Sequence, residues 1–490
     1  MLRLVTTSGT GWRSRLCRPI FKAFRLWMIH QPNLVPDMSS AVDPQYFEEL
    51  RAREFGRLDE GGHVYLDYTG SGLYADCQLR DNDERLEHHV LGNPHSENPA
   101  SLAATEMVEC ARADVLDFFG ADPEEYAVIF TSNASAALKL VGESFPFRDG
   151  SRFTLLRDDH NSVLGIRMYA QARGADVQYM ELDDQLRLDP GAQLPPAGSG
   201  PSLFAFPAQS NFSGVKHPLR LIDEAQALGY RVVLDAAAYA PTSTVDFKTV
   251  RPDFMCVAFY KMFGYPTGLG ALIARREALA ELVRPWFAGG TVEFVSTQTG
   301  VHRLRADAHS FEDGTPNFLG IAAVPRGLGF LRDVGMEHVS GHVARMTDRI
   351  LGILSTIRHP NGAPAAVCYG PQDTVDRGGT VAFNMLSSDG HVVPFGLVER
   401  AAAIVGISVR GGCFCNPGCA EKALDLQADE ALDCFQSIPH GSFSLGRFAQ
   451  CMGPDAPIGA LRASVGIPTV DADLDRFEAF IADFVANPPE

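Results

Sequence analysis

One lysine, Lys261, lies between two very different stretches of the sequence. The apolar run 254–258 before it is typical of a buried strand, and the run 264–270 after it is rich in glycine, as in a loop. Burial disfavours the ammonium form, so an amine at this position can lose its proton. A neutral amine can form a Schiff base with an aldehyde such as pyridoxal phosphate (PLP). Because a lone lysine is more often solvated in a loop, this assignment needs further residues.

Asp235 is the first of these, because it directly follows the apolar run 232–234. A carboxylate at the end of a buried strand can pair with a protonated pyridine nitrogen and let the ring accept electrons. It can equally cap the N-terminus of the next segment, and this residue alone does not decide between the two.

Three more polar residues follow predicted strands. Ser135 belongs to a run of small hydroxyl residues at a predicted helix start, where free N–H groups suit a phosphate, although a plain helix cap is commoner. His160 has a flat ring that can stack on a cofactor, although a lone histidine is more often exposed. Asn211 can hydrogen-bond a ring oxygen or simply form a turn.

Short apolar runs alternate with helical segments between residues 128 and 274, which predicts an α/β fold with a mostly parallel sheet covered on both faces. Such sheets bind ligands at the carboxyl ends of their strands, so the polar residues above converge on one edge. The predicted strands are 64–68, 128–130, 153–156, 203–206, 232–234, 254–258, 270–274 and 380–384. The predicted helices are 44–60, 101–119, 135–141, 162–173, 221–228, 316–331, 339–357 and 471–485.

Length and composition set the wider limits. A chain of 490 residues with 46% hydrophobic residues suits two domains, which we place at 41–319 and, as a smaller α+β domain, at 320–490. The net charge of −18 argues against nucleic-acid binding, and no apolar run is long enough to cross a membrane. The basic extension 1–40 is left out of the fold; we expect a cytoplasmic protein, with an organellar presequence or a misassigned start as alternatives.

Several motifs together resemble the molybdenum cofactor sulfurases and, more broadly, the class V aminotransferases with their cysteine desulfurases. The resemblance covers roughly residues 60–480 and implies a fold-type I PLP enzyme, a homodimer with its site at the subunit interface. The motifs that carry it are 211–218, 235–237, 259–261, 264–268, 289–291 and 413–418.

The resemblance assigns residues to the cofactor and to the substrate. Lys261 would hold PLP and move protons on the substrate, and Arg462 would bind the carboxylate of L-cysteine or a related amino acid. Thr291 would reach the phosphate of a partner subunit. The full set assigned to the cofactor is Ser135, His160, Asn211, Asp235, Tyr260, Lys261 and Thr291.

The resemblance also makes Cys415 the sulfur acceptor. Its thiolate would take the sulfur of cysteine as a persulfide and leave alanine, before an unidentified acceptor removes that sulfur. The alternative is a metal site, because Cys413 and Cys419 lie close in sequence and Cys434 could supply a fourth thiolate. The spacing lacks the paired C-x-x-C pattern of common zinc sites, so we favour the persulfide and predict no metal.

Some positions depart from the family pattern. Ala258 replaces a phosphate-binding serine, Ala238 replaces a glutamine, and Tyr260 replaces a histidine of general cysteine desulfurases. The third cysteine, Cys419, is shifted by one position, and the sequence stops at Glu490, where sulfurases continue into a cofactor-handling domain that we expect to be missing. Two alternatives therefore stay open: another PLP reaction, such as an epimerase or a carbon–sulfur lyase, and a noncatalytic or metal-binding relative.

Overall fold

The computed structural model describes residues 43–453 and 457–488, so the predicted basic extension 1–40 lies outside the described residues. The strands are β1 (Val64–Tyr65), β2 (Tyr126–Thr131), β3 (Arg152–Leu156), β4 (Asp176–Met180), β5 (Ser202–Pro207), β6 (Tyr230–Asp235), β7 (Phe254–Ala258), β8 (Gly270–Arg275), β9 (Val292–Val295), β10 (His302–Leu304), β11 (Ala366–Tyr369), β12 (Thr380–Met385), β13 (Ile407–Ser408), β14 (Arg410–Gly412) and β15 (Ala460–Ser464).

The α-helices lie before, between and after these strands along the sequence. They are Pro44–Glu54, Arg57–Glu60, Asp76–His88, Pro99–Phe118, Ala134–Ser144, Asn161–Leu164, Ile166–Ala172, Leu221–Ala227, Phe259–Phe263, Arg276–Glu281, Phe318–Ile321, Val324–Val334, Met336–Thr356, Phe395–Ile404, Pro417–Ala423, Ala428–Ser437, Leu445–Met452 and Asp471–Ala486.

A seven-stranded sheet with the order β2-β8-β7-β6-β5-β3-β4 forms the centre of the fold. The run from β7 to β4 is parallel throughout, whereas β8 is antiparallel to both of its neighbours. Alternate residues of β6 enter different apolar clusters, with Val232 and Leu234 on one face and Val233 on the other. The sheet is therefore buried on both faces, and the predicted α/β fold with a mostly parallel sheet is confirmed.

A second sheet, with the order β11-β12-β15-β14, is antiparallel and lies within the predicted carboxy-terminal region. Its strand β15 carries Arg462, which pairs with Ala382 of β12 on one side and Arg410 of β14 on the other. This central position explains why a charged residue is almost completely buried there. The boundary at residues 319–320 stays a prediction.

Local differences from the predicted elements have physical causes. The predicted helix 162–173 is interrupted at Gly165, and the predicted helix 44–60 is interrupted at Phe55 and Gly56. The strand predicted at 64–68 has only two residues, which pair in parallel with β13. Within the described residues, no helix combines the length and apolar character needed to cross a membrane.

Candidate active site

The carboxyl ends of β3, β5, β6 and β7 lie at one edge of the parallel sheet, and a cavity of about 330 Å³ opens there. The sequence pattern predicted this convergence, because each of these strands is followed by a candidate residue. Six of the predicted site residues line this one cavity: Ser135, His160, Asn211, Asp235, Tyr260 and Lys261.

Lys261 is held by the short helix Phe259–Phe263, which begins directly after β7. The helix ends at Gly264, whose φ of +77° is in the left-handed region that glycine adopts without strain. Gly72 packs against the other side, where an added Cβ atom would lie 2.7 Å from the carbonyl oxygen of Lys261. The backbone around the lysine is therefore closely confined, and its Nζ donates a hydrogen bond of 3.3 Å to Oδ1 of Asn211.

Burial lowers the pKa of Lys261 to about 8, because the ammonium form loses hydration in the cavity. The Asp235 carboxylate opposes this by attracting the ammonium group, and the Arg462 guanidinium adds to it by repulsion. A substantial fraction of the amine is therefore neutral under mildly alkaline conditions. This is the form that condenses with an aldehyde.

We therefore expect the rate at which apoprotein forms a Schiff base with PLP to rise with pH around a midpoint near 8. The sign follows from the lowered pKa, since the reactive neutral amine increases as pH rises through that value. Stopped-flow absorbance across pH 6 to about 11 measures this rate, with a small alkylamine as the reference for an ordinary lysine pKa of about 10.4. A midpoint that matches the free amine would contradict the proposed burial effect.

His160 occupies the N-cap position of the helix Asn161–Leu164. Its Nδ1 accepts the backbone N–H of Ser162 at 3.1 Å, which assigns the proton of the neutral ring to Nε2. Burial lowers the pKa of His160, and the positive charges of Lys261 and Arg462 lower it further against the attraction of Asp235. The ring is therefore neutral near pH 7, and a neutral flat ring suits stacking on a cofactor.

Ser135 lies in the first turn of the helix Ala134–Ser144, at the exposed rim of the cavity. Its hydroxyl is 2.6 Å from the hydroxyl of Ser162, a residue that the sequence pattern did not single out. Two hydroxyl groups beside the N-terminus of an 11-residue helix suit a phosphate dianion. Ser162 and Ala258 line the same cavity, so a hydroxyl that the family resemblance did not include is available there.

Asp235 ends β6 and is almost completely buried. Its Oδ1 accepts the backbone N–H of Ala237 at 3.0 Å, and the residue lines the cavity together with Ala238. Within the described chain, no hydrogen bond uses Oδ2 of Asp235, which leaves this oxygen for a cationic nitrogen. The cavity thus combines an amine, a carboxylate, a flat ring and a phosphate-type rim, and this donor set fits PLP.

Asn211 connects the parts of the site. Its Oδ1 accepts from Lys261, its Nδ2 donates to the carbonyl oxygen of Phe414 at 2.6 Å, and its own carbonyl accepts from Nη1 of Arg462 at 2.9 Å. The predicted role was a contact to the cofactor ring. The structure adds that one turn residue contacts the lysine, the cysteine loop and the arginine.

The loop that carries Cys415 adopts an unusual backbone conformation. Phe414 and Cys415 have φ values of +55° and +57°, and two successive non-glycine residues in this region cost about 1–2 kcal/mol each. The backbone N–H of Asn161 donates to the carbonyl oxygen of Cys415 at 2.7 Å and helps to hold the loop. Cys415 is exposed and lies near enough to Lys261 and Tyr260 to influence the pKa of both side chains, but it is not among the residues that line the cavity.

The neighbouring cysteines lie in different surroundings. Sγ of Cys413 donates to the carbonyl oxygen of Ile458 at 3.2 Å, Cys419 is completely buried, and burial raises the pKa of both thiols. Cys434, the suggested fourth ligand, forms a disulfide with Cys451. Among the described residues, no group of histidine, cysteine and acidic side chains is arranged to hold a metal ion.

Arg462 has only 1% of its surface exposed and lies over the ring of Phe414, 4.6 Å from the ring centroid. Its Nη2 pairs with Oδ1 of Asp67 at 3.0 Å, and Arg410 binds the other oxygen of the same carboxylate. Two of its five N–H groups are thus used within the protein by Asp67 and Asn211, and Arg462 is not among the residues that line the cavity. Its predicted contact to a substrate carboxylate stays a prediction. Sequence reasoning missed Asp67 and Arg410, because their pairing joins residues more than 340 positions apart.

Thr291 does not line this cavity. Its side chain is buried, and its Oγ1 exchanges hydrogen bonds with the backbone N–H and carbonyl of Ala288 at 2.9 and 2.8 Å. Its predicted contact to the phosphate of a partner subunit stays a prediction.

Comparison with known proteins identifies the family. The family model described as aminotransferase class-V matches residues 64–477. The chain belongs to this family. Membership confirms the resemblance and the fold class expected from the sequence, and it agrees with PLP as the predicted cofactor.

The similar proteins fall within the same group of enzymes. The chain is 35% identical to the molybdenum cofactor sulfurase of Arabidopsis thaliana and 37% identical to that of Bos taurus, over 91% and 88% of its own length. It spans 59% and 51% of the lengths of those two proteins. The apo structure of a cysteine desulfurase from Thermococcus onnurineus superposes with a TM-score of 0.72 at 25% identity, covering 92% of this chain and 100% of the other.

Proposed function

We propose that the protein is a PLP-dependent cysteine desulfurase that transfers the sulfur of L-cysteine to Cys415 as a persulfide and releases L-alanine. One observation carries this proposal: Cys415 is the exposed member of its cysteine cluster and lies near enough to Lys261 to influence the lowered pKa of that amine. The family match and the similarity to sulfurases and to a cysteine desulfurase support it.

The side chains divide the task by their chemistry. Arg462 binds the substrate carboxylate with its remaining N–H groups, and Asp67 fixes the plane of the guanidinium. Lys261, once free, moves a proton to and from the substrate Cα, and its lowered pKa suits this exchange. When bound, PLP supplies an electron sink, held by Asp235 at the pyridine nitrogen, His160 on the ring face and the Ser135 rim at the phosphate.

The sulfur transfer balances without a redox partner. The thiolate of Cys415 forms a bond to the substrate sulfur while the bond from that sulfur to the substrate Cβ breaks. The Cβ takes up the proton that the Cys415 thiol has given up, and the products are alanine and a persulfide on Cys415. An acceptor then removes the outer sulfur, and we propose the molybdenum cofactor or a related sulfur acceptor for this step. The homodimer and the cytoplasmic location stay predictions.

Incubation of the PLP-loaded chain with L-cysteine tests the proposal. We expect alanine to form in step with protein-bound persulfide, and peptide mass spectrometry to place the added sulfur on Cys415. A supply of thiol reductant should convert this single turnover into continuous sulfide release. Pyruvate and ammonia in place of alanine would show a carbon–sulfur lyase, and D-cysteine would show an epimerase, and either result overturns the proposal.

A further inference from the structure

We propose that Asp158 is a positioning residue that fixes the Cys415 loop against the turn carrying Asn211. This inference rests on the proposed function, because it concerns how the sulfur-accepting thiol is aimed at the cavity. Asp158 has no exposed surface and follows β3 by two positions. Nothing in the sequence pattern or in the family resemblance singled it out.

Asp158 contacts the cysteine loop through Asn416. Asn416, the residue after Cys415, is completely buried and directs its Nδ2 to Asp158. That nitrogen donates to Oδ1 of Asp158 at 2.7 Å and to its carbonyl oxygen at 3.0 Å. Because Phe414 and Cys415 lie in the left-handed region, the loop needs such fixed anchors to keep this conformation.

Asp158 also contacts the turn that carries Asn211, through Ser210. The hydroxyl of Ser210 donates to the same Oδ1 of Asp158 at 2.7 Å. The Ser210 oxygen in turn accepts the backbone N–H groups of Phe212 and Ser213 at 3.2 and 3.0 Å, so it organises the turn around Asn211. One carboxylate oxygen therefore joins the loop of the thiol to the turn that contacts Lys261.

The remaining oxygen of Asp158 is also used. Nε2 of His217 lies 2.8 Å from Oδ2, and both side chains are buried. A carboxylate without solvent is tolerated when all of its contacts are hydrogen bonds, and removal of one partner leaves the rest unsatisfied. Both carboxylate oxygens of Asp158 are thus held by neighbouring side chains, which suits a residue that sets the direction of a nucleophile.

Asp158→Asn is the direct test, because it keeps the size of the side chain and removes the negative charge that attracts the hydrogen-bond donors of Asn416 and Ser210. We expect kcat for alanine formation to fall about 10-fold or more, since a misplacement of about 1 Å at reacting groups can cost as much. The KM for L-cysteine should change less than kcat, because Asp67 still holds Arg462 in the variant. PLP absorbance and borohydride trapping on Lys261 should stay stoichiometric.

Cysteine labelling separates positioning from general destabilisation. In Asp158→Asn, we expect iodoacetamide to alkylate Cys415 several-fold faster while Cys256, which is buried within β7, stays unlabelled. Asn416→Ala removes the same contact from the other side and should reproduce both effects, and the double variant should add little to either single variant. If Asp158→Asn does not fold, the same kcat and labelling measurements on Asn416→Ala test the proposal.

Asp159→Asn is the matched control. Asp159 is adjacent and equally buried, and its Oδ2 accepts the backbone N–H of Leu156 at 2.9 Å, away from the cysteine loop. Burial raises the pKa of Asp159 well above the usual range, and asparagine keeps both the size of the side chain and an oxygen for Leu156, so kcat should be preserved. A kcat in both Asp158→Asn and Asn416→Ala within twofold of the parent would overturn the proposal, as would labelled Cys256 in both. Persulfide formation without Cys415 would instead overturn the proposed function.

Discussion

Replacing Lys261 with alanine is expected to give a colourless protein that forms alanine from cysteine roughly 10²–10⁴-fold more slowly. The reason is the position of this amine, which is confined between Gly72 and the end of β7 and has a pKa of about 8. The cavity contains no other lysine to replace it. Visible absorbance after incubation with PLP, followed by borohydride reduction and peptide mass spectrometry, measures the loss directly.

Lys216→Ala provides the control for this experiment. Lys216 is also partly buried with a lowered pKa, but it lies over the ring of Tyr239, 5.7 Å from the centroid, and lines a different cavity. This variant should keep the colour, the trapped adduct and the rate of alanine formation. If Lys261→Ala still gave a reducible adduct of full stoichiometry, or if Lys216→Ala lost it, the assignment of the Schiff-base lysine would be wrong.

Replacing Cys415 with serine is expected to abolish persulfide formation and to slow alanine formation by about 10²-fold or more, because a hydroxyl is a far weaker nucleophile than a thiolate. Cysteine should still bind and change the cofactor spectrum, since Lys261 and Arg462 are intact. Rapid-quench measurement of alanine, together with a persulfide-specific label, checks both parts of this expectation.

Cys413→Ser is the matched variant, two positions away in the same loop. Serine can keep the hydrogen bond from this side chain to the carbonyl of Ile458, so the loop should retain its shape and its activity. Persulfide on Cys413 in the parent protein, or full activity in Cys415→Ser, would remove Cys415 from the mechanism. An effect confined to Cys415→Ser would instead match the greater exposure of this thiol compared with the partly buried Cys413 and the buried Cys419.

The interior strands were predictable because burial on both faces leaves a continuous apolar run. Residues 254–258 coincide with β7, and 232–234 lie within β6. The edge strand β4 was missed, because its mostly half-buried residues alternate in polarity and form no continuous apolar run. The antiparallel direction of β8 has no local signal either, since pairing is decided by residues far away in sequence.

The site residues also divide into those with a local sequence signal and those whose role depends on distant residues. Lys261 and Asp235 were found because each directly follows a buried strand, and the sheet brings strand ends together. Asp158 also follows a strand, yet its importance depends on Asn416, which is 258 positions away. Asp67 and Arg410 were missed for the same reason, because their role depends on an ion pair between distant residues and not on a sequence motif.

The threefold contact of Asn211 has a consequence for protein engineering. A library that varies this turn to accept bulkier amino acids would disturb the lysine, the thiol loop and the arginine at once, so few of its members would retain turnover. Thr267 lies at the exposed rim of the cavity and takes no part in these three contacts. Redesign of substrate scope therefore has more freedom at this rim position than at Asn211.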